Sequence, residues 1–148
     1  MNRYLIIWAC LLAAAPVFAD EQTGQALKQV HQLACDFEYG SIANWDGRQV
    51  KVEKKRHDLS LTFESIDLAA GTAKVVTQGY RADIEVFSTP AGLFFVEKTG
   101  TGNMIMTTVF PRFKKGSRHF IAVTSAHIYL PDGPPLASQY HGVCTAAP

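Results

Sequence analysis

The sequence predicts an all-β domain of about eight antiparallel strands in a meander, preceded by one short helix. Three observations predict it. From Ala34 onward, apolar, β-branched and aromatic residues recur with a period of two. Clusters of Gly, Asp, Asn and Pro interrupt that pattern with gaps long enough for hairpins but too short for parallel crossovers, which need a dozen or more residues. Two cysteines, Cys35 and Cys144, stand near opposite ends of the patterned region, and pairing them brings its two ends together. A meander whose ends meet is a closed barrel without exposed edges; a β-sandwich of the same strands is the alternative.

The first residues set the expected compartment. Arg3 is followed by a run from Leu5 to Phe18 that is apolar apart from one proline and ends in Val17-Phe18-Ala19 before Asp20-Glu21. A basic start, an apolar stretch shorter than the roughly 20 residues of a spanning helix, and small residues at the cut describe a secretory signal peptide. Residues 1–19 are expected to be removed after Ala19, leaving 20–148 as one β-rich domain that is periplasmic or secreted. Lipid attachment at Cys10 is the rival, disfavoured by bulky Trp8 before it and by the apolar Leu11–Ala15 stretch where a polar tether belongs. The cut also removes Arg3 and Cys10. Bases and acids then balance, so net charge steers no partner, and Cys35 and Cys144 are left to form a structural disulfide in an oxidising compartment. With 47% hydrophobic and 18% charged residues, the chain is too apolar for disorder and too evenly charged for nucleic-acid binding to be its default role.

The elements follow in order. Ala26, Leu27, Val30, Leu33 and Ala34 recur at three- and four-residue steps and predict an amphipathic helix over about 22–33. Strands are predicted at about 34–44, 48–55, 58–66, 72–78, 81–88, 93–99, 103–110 and 118–129. The turns between them include Asp46-Gly47, Ala70-Gly71, Gly79, Pro90-Ala91-Gly92, Gly100-Thr101-Gly102-Asn103 and Lys115-Gly116-Ser117. Leu59, Leu61 and Phe63 alternate with polar residues, as do Ile84 and Val86, which marks strands with one wet face. Leu93–Val96, Met104–Met106 and Phe120–Val123 are apolar on both faces. Their outer side needs a cover, and the helix stripe is expected to supply it, with a partner protein as the alternative. Leu130-Pro131-Asp132-Gly133-Pro134-Pro135 reads as a rigid surface loop, after which the chain returns to Cys144.

No catalytic motif is present. His31, His57, His119, His127 and His141 have no metal-ligand spacing; His119 and His127 share a strand face but lie about 26 Å apart in an extended strand. Ser125, His127 and Asp132 lack the strained turn that exposes a nucleophile. Asp36/Glu38 and Asp83/Glu85 alternate as solvent-facing carboxylates do. The Gly100–Asn103 segment joins two strands with no helix behind it, so it is a turn and not a phosphate loop. No catalytic residue, metal or cofactor is assigned.

Two basic clusters remain: Lys54-Lys55-Arg56-His57, and Arg112-Phe113-Lys114-Lys115-Gly116-Ser117-Arg118-His119 between Phe110 and Phe120. The second mixes bases with aromatics, a composition suited to an anionic surface. Trp45 lies near the first turn, but Gly40 precedes it by five positions, so the Gly-x-Trp fingerprint of lipocalins is absent; the expected architecture still resembles a lipocalin-like or similar small β-barrel. The stretches Leu61–Asp67, Gly92–Glu97 and Ser138–Cys144 resemble small secreted bacterial proteins built as single disulfide-closed β domains, to which no function is attached. The resemblance implies the compartment and the single domain and carries no active residue.

The functional expectation is a non-enzymatic binding protein that carries a small apolar ligand in the barrel, with Phe63, Phe95, Met104 and Met106 as candidate lining. The alternative is a protein-interaction module, such as a secreted enzyme inhibitor that contacts an extracytoplasmic protein through the 110–120 loop with Arg112, Phe113, Lys114, Lys115 and Arg118. An enzyme whose site is assembled from distant strands ranks third.

Overall fold

The computed structural model describes residues 24–111 and 118–147. The expected signal peptide and the centre of the 110–120 loop lie outside the described residues. A helix at 24–28 is followed by β1 (Leu33–Asp46), β2 (Gln49–Asp67), β3 (Thr72–Thr77), β4 (Tyr80–Thr89), β5 (Gly92–Lys98), β6 (Met104–Phe110), β7 (His119–Ile128) and β8 (Leu136–Ala146). Each strand pairs antiparallel with the next, and β8 pairs back onto β1, closing a barrel. One sheet closed on itself removes the sandwich alternative.

Eight strands are present, but two of the expected boundaries move. The stretches read as 48–55 and 58–66 are one 19-residue strand, β2. The polar Lys54–Asp58 run looks like a connection because it keeps no apolar alternation; in the fold it stays extended, and the β1–β2 register slips by one between Phe37↔Leu59 and Tyr39↔Arg56. The eighth strand is the return segment, Leu136–Ala146. Its inward positions Ser138 and Gly142 are too small to produce an apolar period, yet its backbone is paired on both sides, by β1 and β7.

The disulfide forms within this seam. Cys35 and Cys144 face each other directly in the β1–β8 register and are bonded across a sequence separation of 109. Both are buried in the core. Gly142 lies on the same seam, where a Cβ would meet the Asp36 carbonyl oxygen at 2.0 Å, so no larger residue fits where β8 passes the β1 bulge.

The helix does not lie over the outside of the last strands. Leu27 is buried in the same cluster as Leu33, Phe37, Phe63, Leu93 and Phe120, and Gly24 approaches Pro111 just past the end of β6. It therefore stops one end of the barrel. The connection after it is held by His31, whose carbonyl accepts from the Ile66 amide at 3.1 Å while its Nδ1 sits 3.4 Å from the Ile66 carbonyl. Ser65, at φ 51°, carries the bulge that brings Ile66 to this position. The helix ends at residue 28, five positions before the apolar spacing suggests, because Leu33 is already the first β1 residue, paired with Phe63 and Ala146. A plug needs only Leu27 and part of Val30, which satisfies the helix stripe without covering the sheet. The outer apolar residues meet one another instead: Phe87 and Phe94 stack at 5.1 Å across the β4–β5 pair. Phe87, Met104, Met106 and Ile121 stay exposed.

The ring is not evenly round. β3 pairs with β2 only along Thr62–Asp67, so the first two-thirds of β2 has no neighbour on that side. β1, β2 and the start of β8 therefore rise beyond the barrel as an arm, with Lys51, Lys54, Lys55 and Arg56 on the strand whose outer edge is unpaired. Charges on such an edge discourage further strand pairing.

Candidate functional site

Opposite the helix plug, the barrel interior is not filled. A cavity of about 400 Å³ opens toward the arm. Its position follows from inward side-chain size: at the plugged end Leu33, Phe37, Leu93 and Phe120 fill the ring, whereas toward the other end the inward positions carry Ala126, Thr107, Thr124 and Thr77. The floor is a stacked pair, Phe63 and Phe95, with ring centroids 4.0 Å apart and planes 12° from parallel. Val75 and Ile84 stand beside it, and Leu59, Leu61, Ile105 and Ala126 form the walls.

Polar groups occupy defined places in this apolar lining. Thr107 donates to Thr124 Oγ1 at 2.9 Å, a buried bond between β6 and β7 that leaves both hydroxyls satisfied inside the wall. Replacing either one alone by Val strands its partner and should cost about 1–2 kcal/mol of stability; replacing both should be nearly neutral. Paired denaturant titrations of the single and double variants check this.

At the mouth, Tyr80 donates to Glu97 Oε1 on one side, and Thr99 stands beside them. On the other side the Tyr140 ring meets His57 edge-to-face, with centroids 5.2 Å apart. Gly40 makes this possible: a Cβ there would lie 2.2 Å from Tyr140 Cδ1, so only a residue without one lets the ring lie flat on β1. The hairpin at Thr99–Asn103 is tied to the neighbouring loop by the Tyr129 amide, which donates to Asn103 Oδ1 at 2.8 Å. That bond holds two rim loops together.

The hydrogen bond to Glu97, followed by desolvation and the Glu97 charge, holds the Tyr80 phenol above its ordinary 10.0. A phenol raised in the folded state adds stability that is fully present below about pH 10 and is lost as pH rises through its folded value. Glu97→Gln should bring Tyr80 back toward 10.0, read as phenolate absorbance in an alkaline titration of parent and variant.

The sequence-derived candidates separate. Phe63 and Phe95 line the cavity, as a barrel interior requires. Met104 and Met106 do not: they point outward, 45% and 41% exposed, and Ile105 between them faces the cavity. An unbroken apolar run does not specify which of its alternating faces turns inward, so the one-residue choice fell the wrong way. Leu59 and Leu61 carried the clearest alternation in the chain; Ile105, Tyr80, Glu97 and Tyr140 had no local signal. Arg112, Phe113, Lys114 and Lys115 lie outside the described residues, and Arg118 is exposed, its carbonyl accepting from the Ala146 amide. Ser125 and His127 face away from the cavity on β7; Ser125 accepts from Gln139 Nε2 at 3.3 Å. Among the described residues no three His, Cys, Asp or Glu side chains gather as metal ligands, and no helix is long and apolar enough to cross a membrane.

Comparison of the chain with protein-family models, curated proteins and solved structures finds no match.

Proposed function

We propose that this protein is a periplasmic or secreted, non-enzymatic carrier that holds one small, mainly apolar molecule in its barrel, with the polar end of that molecule at the mouth. The observation that carries the reading is the cavity itself. Its volume, about 400 Å³, falls within the 300–1,000 Å³ of small-molecule sites. Its floor and walls are mainly hydrocarbon and aromatic, with the Thr77, Thr107 and Thr124 hydroxyls already bonded, and its other polar groups, Tyr80, Glu97, Thr99 and Tyr140, are confined to the rim. Apolar surface drives entry, and the rim groups orient whichever end of the ligand stays in water. The buried Cys35–Cys144 bond supports the compartment, because such bonds persist where the surroundings are oxidising.

Titration with a fluorescent fatty acid whose emission shifts in apolar surroundings tests this. The expected result is saturable binding at one probe per chain, competed by unlabelled long-chain amphiphiles. Emission that rises without saturation, or that competitors leave unchanged, would overturn the reading.

A further inference from the structure

The arm beside the cavity mouth sorts its side chains by face. Along one face, the register pairs Tyr39 with Arg56, Ser41 with Lys54, Ala43 with Val52 and Trp45 with Val50. On the other face it pairs Gly40 with Lys55, Ile42 with Glu53, Asn44 with Lys51 and Asp46 with Gln49. Both acids of this stretch are on the second face, where Asp46 is bonded to Lys51. The first face has bases and no acids. It also has large apolar side chains in water: Tyr39 is 58% exposed, Trp45 46%, Val50 49% and Val52 65%.

β8 extends this face by placing His141 beside Tyr39. Arg56 lies 5.8 Å over the Tyr39 ring, and a shallow depression forms among Tyr39, Ser41, Lys54, Arg56 and His141. Among the described residues, neither Lys54 nor Arg56 has a carboxylate partner. Unpaired bases inboard and Trp, Val and Val at the tip form a gradient from charge to hydrocarbon along one hairpin face.

We infer that this arm docks the protein on an anionic lipid surface, with Trp45, Val50 and Val52 entering the interfacial region and Lys54 and Arg56, with His141 beside them, meeting the lipid phosphates. Tryptophan favours that region because one edge of its ring is apolar and the other polar. The bases gain from the negative surface potential. A sulfated or acidic polysaccharide would satisfy Lys54 and Arg56 but leave Val50 and Val52 without an apolar partner. The arm rises from the rim of the cavity, with Leu59 and Leu61 on the inward face of the strand whose outer face carries Val50 and Val52. Docking therefore keeps the barrel at the bilayer surface, and the cavity draws its occupant from the membrane as a single-chain amphiphile. The docking stands on the arm alone; the cargo rests on the function proposed above.

Vesicle flotation of the disulfide-bonded protein, recovered from its own host, tests the docking. The probes are vesicles of phosphatidylcholine and of phosphatidylcholine with phosphatidylglycerol. Binding is expected to the anionic vesicles and to weaken with salt. Each base near the surface is worth about fivefold, so Lys54→Gln with Arg56→Gln should weaken binding roughly thirtyfold. Trp45→Ser with Val52→Ser should also lose it, whereas Lys51→Gln, on the other face, should stay within about twofold of the parent. Circular dichroism and probe binding in solution, unchanged in these variants, report that fold and cavity survive. Equal flotation with neutral vesicles, no flotation, capture by dextran sulfate but not by vesicles, or equal losses for Lys51→Gln and the double variant would each overturn the inference. A protein that floats but holds no probe fails the cavity reading alone, and one that holds probe but does not float fails the docking alone.

Discussion

Replacing Cys35 and Cys144 together by Ala should lower the unfolding free energy by about 5 kcal/mol. The bond closes a loop spanning 109 positions, and in the chain-entropy treatment a loop of that size restricts the unfolded ensemble by about 4.7 kcal/mol. Small domains have only about 5–15 kcal/mol in total, so the variant should melt roughly 15–20 °C lower or fail to accumulate at growth temperature. The bond also sits where β8 meets β1, the pairing that turns the meander into a ring. Its loss therefore weakens closure as well as the unfolded-state constraint. Because both sulfurs are buried, mild reductant should leave the folded protein intact, and reduction should track global unfolding. Thermal melts of the parent and the double variant, with and without reductant, check both parts. A shift of only a few degrees would mean that the β1–β8 ladder closes the barrel unaided.

Filling the cavity should abolish ligand binding while leaving the barrel folded. Ala126 is opposite Ile105 in the β6–β7 register, and both belong to the cavity wall. A tryptophan at 126 directs an indole into space that is now empty, where it gains apolar contacts instead of displacing a packed neighbour. Probe affinity should fall by more than about a hundredfold, a loss of over 2.7 kcal/mol, with the melting temperature held or raised. Ile105→Ala, which widens the same wall, should shift preference toward bulkier ligands. If Ala126→Trp binds the probe as the parent does, the probe sits elsewhere, and the exposed outer residues Phe87, Met104 and Met106 become the place to look.

Particular residues explain what the sequence could disclose. The barrel was legible because closure rests on one covalent pair at the two ends of an alternating pattern, and Cys35 and Cys144 stand directly opposite each other. Leu59, Leu61 and Phe63 showed their inward face because Ser60, Thr62 and Glu64 separate them. Met104-Ile105-Met106 offered no polar residue to fix its phase, and the methionines turned out while the isoleucine turned in. β8 was hidden for the opposite reason: its inward positions include Ser138 and Gly142, and the fold keeps Gly142 small where β8 crosses the β1 bulge. The helix stripe was correct, but its destination was not, because a stripe records only that one face is buried and not against which surface. Tyr80 and Glu97 lie in different strands and meet only at the rim, a pairing no local pattern contains.

The most direct measurement is native mass spectrometry of the protein isolated gently from its own host. A barrel that carries a ligand predicts a stoichiometric excess of a few hundred daltons over the disulfide-bonded chain, absent from Ala126→Trp isolated in the same way. The bare chain mass in the parent, together with no probe binding after exposure to host lipid extract, would contradict the carrier function.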